Sequence, residues 1–99
     1  MESTERLERI RYRFIGHVQS RGFRFACVTC ARKDDLTGWV RNERDGTVTA
    51  EVQGSPEGHL AFIRRLTTMV TGFGNDWSIG SERNVDLKEG ESDFGVRRY

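Results

Sequence analysis

From residue 8 to residue 16 polar and apolar side chains alternate. Ile10, Tyr12 and Phe14 fall on one side and Arg9, Arg11 and Arg13 on the other, a period of two that predicts a strand with one covered face. Gly16-His17-Val18-Gln19-Ser20-Arg21-Gly22 interrupts the pattern as a loop bounded by glycines. From Phe23 to about Asp34 the period lengthens, and Phe23, Ala26, Cys27, Cys30 and Ala31 share one helical face. Gly38 followed by Trp39-Val40-Arg41-Asn42 predicts a short second strand. Glu43-Arg44-Asp45-Gly46 is a hairpin turn by its Asp-Gly pair, and Val48, Ala50 and Val52 alternate along a third strand. Ser55-Pro56-Glu57 supplies a cap, a proline suited to the first helical position and an acid facing the positive end of the helix dipole. That helix is expected to reach about Val70 and to bury Phe62, Ile63, Leu66 and Met69. A loop over residues 71–76, a fourth strand over residues 77–87 interrupted by Gly80, and a fifth over residues 93–98 complete the chain.

The order strand, helix, strand, strand, helix, strand, with a short strand at the end, predicts two helices on one face of a small antiparallel sheet. This is an α+β sandwich of the ferredoxin-like type. With 99 residues and neither repeat nor linker, residues 1–99 are expected to form a single domain, residues 1–6 being a flexible N-terminal segment. No apolar run approaches the roughly 20 residues needed to span a bilayer. The opening Met1-Glu2-Ser3-Thr4-Glu5-Arg6 lacks the basic-then-apolar order of a signal peptide. A cytoplasmic monomer without membrane contacts is the expectation.

Charge narrows the choice of partner. The net charge is +1, too little for a general polyanion binder, and nucleic acid is not expected as a partner. Residues 1–24 nevertheless carry six Arg against three Glu, whereas residues 25–99 carry ten basic side chains against twelve acidic ones. The surplus would draw a small anion toward the N-terminal third. Cys27 and Cys30 form a lone C-x-x-C without a second pair to complete a zinc site, and His17 and His59 lack the spacing to supply one. Their flanks read as the apolar side of a helix, where thiols act as small hydrophobes; a redox pair is the alternative. Thiol phosphatase chemistry fails on spacing, since only four residues separate Cys27 from Arg32.

The loop over residues 16–22 is the chemically informative segment. Running from a strand into a helix N-terminus, it is built to present backbone N–H groups to a phosphate or carboxylate. Arg24, in the first helical turn, can match two phosphate oxygens at once with its planar guanidinium. The alternative is an ordinary turn with a solvated arginine.

Three segments at their spacing, Gly16-x-Val18-Gln19 with Gly22-Phe23-Arg24, then Gly38-Trp39-Val40-Arg41-Asn42, then Asp45-Gly46-Thr47-Val48, resemble the acylphosphatase family. The resemblance continues through Gly54, the second helix and Phe94-Gly95-Val96-Arg97-Arg98-Tyr99, and so covers nearly the whole chain. It implies the ferredoxin-like fold and hydrolysis of the carboxyl–phosphate bond of small acyl phosphates, with no metal and no organic cofactor. By position, Arg24 would bind the phosphoryl group together with the loop Val18, Gln19, Ser20, Arg21, Gly22 and Phe23, and Asn42 would hold the attacking water. Ser20 and Arg21 stand where the family usually has Gly and a small apolar residue.

The residue chemistry is consistent with such a reaction. A carboxylate leaving group departs at neutral pH without a general acid, and an amide can orient a water without accepting its proton. Two alternatives come from other classes. Ser20 and Arg21 motivate a catalytically silent relative that only binds anions. Arg21-Gly22-Phe23-Arg24-Phe25 partly matches an RNA-recognition signature in which Phe23 and Phe25 would stack on bases, although helical flanks and the position after the first strand count against it.

Overall fold

The computed structural model describes residues 6–19, 22–70 and 76–98; residues 1–5, Ser20, Arg21, residues 71–75 and Tyr99 lie outside them. The elements are β1 (Glu8–Gly16), α1 (Phe23–Lys33), β2 (Thr37–Asn42), β3 (Val48–Gly54), α2 (Pro56–Val70), β4 (Trp77–Val85) and β5 (Phe94–Val96). The sheet order is β4-β1-β3-β2-β5, with both helices on one face, as expected of a ferredoxin-like α+β sandwich. β1, β2, β3 and β4 pair antiparallel, while β5 lies parallel to β2. The sheet is therefore mixed rather than purely antiparallel. The predicted loop over residues 71–76 falls almost wholly outside the described residues. No helix among the described residues is long and apolar enough to cross a membrane.

The core follows from register. Ile10, Tyr12 and Phe14 of β1 stand opposite Val52, Ala50 and Val48 of β3, and Ala50 and Val48 stand opposite Val40 and Asn42 of β2. Directly opposed residues of antiparallel strands point to the same face, so these rows all face the helices. α1 meets them with Phe23, Ala26, Cys27, Cys30 and Ala31. α2 is capped by Ser55, whose Oγ accepts the Gly58 N–H at 3.0 Å. It buries His59, Phe62, Leu66 and Val70. The sequence pattern is off by a fraction of a turn here: Ile63 is half-buried and Met69 is exposed, because Val70, not Met69, completes the stripe. The buried His59 fits because both ring nitrogens are used. Nε2–H donates to the Glu8 carbonyl at 2.9 Å and Nδ1 accepts from the Tyr12 hydroxyl at 2.8 Å.

The opposite face of the sheet is not the plain solvated face that the alternation predicts. Arg9 is 1% exposed. Its guanidinium meets Glu51 Oε1 at 2.8 Å, Gln53 Oε1 at 3.2 Å and both oxygens of Glu91 at 2.7 and 3.2 Å. Gln53 in turn exchanges two hydrogen bonds with the backbone of Lys88, each 2.9 Å. These bonds strap residues 86–93 across the outer face. Beyond them, Arg41 and Arg97 lie over the Trp39 ring at 5.0 and 4.4 Å and cover its indole.

Burial pushes the Glu51 and Glu91 carboxyls up, but the hydrogen bonds and charge of Arg9, with Arg11 on Glu51, outweigh it and hold both below the ordinary 4.5. The sign follows from linkage: depressed carboxyls contribute stability above their unfolded pKa and lose it as pH falls through the folded value. Arg9→Met should cost about 3–5 kcal/mol at neutral pH, because it leaves buried carboxylates uncompensated. Urea melts between neutral pH and about pH 3 should show wild-type stability falling with acid, and the variant's fall shallower or reversed. Equal acid slopes would show that Arg9 does not set these carboxyls.

Candidate active site

Two buried side chains bracket the loop between β1 and α1. Val18 is 1% and Phe23 2% exposed, and Phe23 stacks edge-on against Phe14 at 5.2 Å and Trp77 at 5.5 Å. These rings come from the end of β1, the start of α1 and the start of β4, and they form the floor beneath the loop. The chain enters the loop at Gly16, whose φ of +101° and position beside β4 admit no side chain: a Cβ there would lie 1.8 Å from the Asp76 carbonyl oxygen. It leaves at Gly22, in the left-handed region at φ 78°, ψ 23°.

Gly22 caps α1 without a side chain, and no acidic residue stands in the first turn. The first-turn N–H groups thus keep their positive potential for an external anion. Arg24 is half-buried in that same turn and has no hydrogen-bond or ion-pair partner among the described residues. Of the predicted loop residues, Ser20 and Arg21 lie outside the described residues. Val18 is an anchor of the loop, and its side chain faces the core.

Asn42 ends β2 on the helix-bearing face, in one cross-strand row with Val48 and Phe14. It stands two strand spacings, about 10 Å, from Phe14, two residues before the end of β1 at Gly16. Its Oδ1 is buried and has no hydrogen-bond partner among the described residues. An orphaned buried carbonyl costs free energy unless something donates to it, and a water can do so. The described residues therefore bring an unpaired cation, a bare helix N-terminus and a free amide oxygen to one end of the sheet.

Gln19 connects the parts. Its Nε2 donates to the Glu43 and Thr47 carbonyls, the latter at 2.8 Å, and so clasps the loop to the turn that follows Asn42. The same turn is closed by Glu43 N–H to the Thr47 carbonyl at 2.8 Å and by Asp45, whose Oδ1 accepts from both Thr47 N–H and Thr47 Oγ. Sequence reading had placed Gln19 in the anion loop, but not this clasp. It also missed Asp76, which accepts from the His17 backbone N–H at 2.8 Å and meets His17 Nδ1 at 2.7 Å. A backbone carbonyl as partner leaves no trace in residue identity, whereas Asp76 sat in a stretch read only as loop.

Other candidates fall away from the site. Cys27 is fully buried and burial pushes its thiol far up, the opposite of a nucleophile's requirement. Both cysteines are free. Phe23 and Phe25 lie on α1, with Phe23 in the core, and so do not form the flat aromatic pair that the RNA-binding alternative requires.

A family model and the curated relatives point to one family. A family model described as Acylphosphatase matches residues 10–79. The acylphosphatase of Bifidobacterium longum is 40% identical over 87 residues, 84% of each chain. That of a Nocardioides species is 47% identical over 89 residues, covering 85% of this chain and 77% of its own. The crystal structure of acylphosphatase from Bacillus subtilis superposes with a TM-score of 0.74 at 25% identity, covering 93% of this chain and 99% of that one.

The clasp is testable without an activity assay. Gln19→Ala removes both hydrogen bonds at an exposed position and should cost about 1 kcal/mol of stability. It should also speed amide hydrogen exchange at residues 16–19 and 43–47 together. Faster exchange in the loop alone would show that Gln19 does not couple the two segments.

Proposed function

The chain belongs to the acylphosphatase family and hydrolyses acyl phosphates to carboxylate and inorganic phosphate, and we propose that Arg24, the loop amides and Asn42 perform that reaction. Arg24 binds the phosphoryl group through its guanidinium, with the N–H groups of residues 18–23 around the remaining oxygens. Asn42 holds the attacking water, its Oδ1 accepting one O–H so that a lone pair faces phosphorus. The water oxygen bonds to phosphorus as the bond from phosphorus to the carboxyl oxygen breaks. The electron pair leaves with the carboxylate, and the water proton passes to a phosphate oxygen. No side chain needs to accept a proton, and nothing in the scheme requires a metal or an organic cofactor.

The observation behind this reading is the orphaned Asn42 Oδ1, in the cross-strand row that leads to the loop. Its support is energetic: a fold that satisfies Arg9, Glu51 and His59 in its interior leaves this amide oxygen open among the described residues. Catalysis is then positioning plus charge stabilisation, as in phosphoryl transfer generally. On the same reading the protein is a monomeric cytoplasmic enzyme, residues 1–99 act as one domain, and its partner is a small acyl phosphate.

The test is phosphate release from acetyl phosphate in buffer containing a chelator. Wild-type protein should turn over. Arg24→Ala should lose about 3 kcal/mol or more of transition-state stabilisation, roughly a hundredfold or more in kcat/KM. Asn42→Ala should lose kcat with little change in KM, because its water is not part of substrate binding. Full activity in Arg24→Ala would end this assignment.

A further inference from the structure

A second cavity, remote from the loop, lies in the groove between α1 and α2. It measures about 500 Å³ and its apolar floor is formed by Cys30 of α1 with Ala61 and Met69 of α2. Three cations line it: Lys33 from α1, and Arg64 and Arg65 from α2. Arg65 pairs with Asp34 at 3.1 Å. The Lys33 ammonium and the Arg64 guanidinium have no hydrogen-bond or ion-pair partner among the described residues, the Arg64 backbone carbonyl alone accepting from Thr68 Oγ at 3.1 Å. Burial raises the Cys30 thiol pKa, with Arg65 opposing it, Asp34 adding to it and Lys33 again opposing it, so these charges all act on the cavity floor.

A lysine in the last turn of α1 is accounted for by the helix dipole. Arg64, in the middle of α2, has no such reason. Cations gathered round one apolar hollow repel each other, and among the described residues no carboxylate lines it, Asp34 nearby being engaged by Arg65. The arrangement lacks an anion whose remaining body is apolar: a head for Lys33 and Arg64, and a tail against Ala61, Met69 and the Cys30 wall. We infer that the groove between α1 and α2 binds a small organic carboxylate with a short aliphatic tail, at a site separate from the phosphate loop.

Sodium octanoate is the probe, titrated calorimetrically into the full chain and followed by amide shifts at Ala61 and Met69. Octanoate should bind wild type and Arg24→Ala alike, since the loop is not involved. The double variant Lys33→Gln, Arg64→Gln, both on the outer helical surface, should bind about tenfold more weakly while keeping wild-type acetyl phosphate turnover. Uncharged 1-octanol should bind much more weakly than octanoate. The proposal is overturned if octanoate does not bind, if octanol binds as well, if the double variant binds as tightly as wild type, or if Arg24→Ala abolishes binding and so places the ligand at the loop. None of these outcomes bears on hydrolysis, which the acetyl phosphate assay reads separately.

Discussion

Everything at the site depends on the burial of Val18 and Phe23 at the two ends of the loop between β1 and α1. With both side chains in the core, the loop is anchored at each end, and the chain turns into and out of it at two glycines with positive φ, Gly16 and Gly22. Gly16 allows β1 to run against the Asp76 carbonyl, and Gly22 allows the chain to enter α1 without a side-chain cap. The aromatic floor of Phe14, Phe23 and Trp77 then does two things at once. It stabilises the junction of β1, α1 and β4 by burying large apolar surface, and it fixes the height at which the helix N-terminus stands above the sheet.

The chain is rich in arginine, and the fold uses its arginines in different ways. Arg9 is buried and fully engaged, Arg11 meets Glu51, Arg13 meets Asp45, Arg32 meets Asp93 and Arg65 meets Asp34. Most of these pairs are exposed and contribute little singly. The Arg9 cluster differs because removing either sign strands the other in the interior. Against that background Arg24 is conspicuous, a half-buried guanidinium with no partner among the described residues, next to a helix end that already repels cations. Folding alone would not favour that placement; an anionic substrate makes it favourable.

Much of this could be read from the residues. The alternation in β1, the helical stripe of α1 and the Ser55 cap each rest on local chemistry, and the structure reproduces them within a residue or two. The joint signal of Arg24 and Asn42 came from a family resemblance, since their lying at one end of the sheet depends on β1 and β2 both pairing with β3, which no local pattern encodes. The same dependence hid the Arg9 cluster. Arg9 looks like any outward strand residue until register sets it beside Gln53 and the segment containing Glu91 folds across. Met69 was misplaced for a simpler reason: a helix with apolar side chains at both 69 and 70 admits two stripes, and only packing decides between them.

Arg24 and the Asn42 amide oxygen, both without a partner among the described residues, sit at the same end of the molecule, and an orphaned buried amide oxygen costs on the order of 1–3 kcal/mol. Such costs are supportable only where the surrounding structure cannot relax to remove them. Here the Gln19 clasp holds the turn after Asn42, the Phe14–Phe23–Trp77 floor holds the first turn of α1, and Gly16 leaves β1 no room to shift against β4. The rigidity under the loop and the openness of its polar groups are therefore one device. A looser floor would let Asn42 find an internal donor or let Arg24 swing into water, and the stabilisation meant for a phosphoryl group would be spent before the substrate arrived.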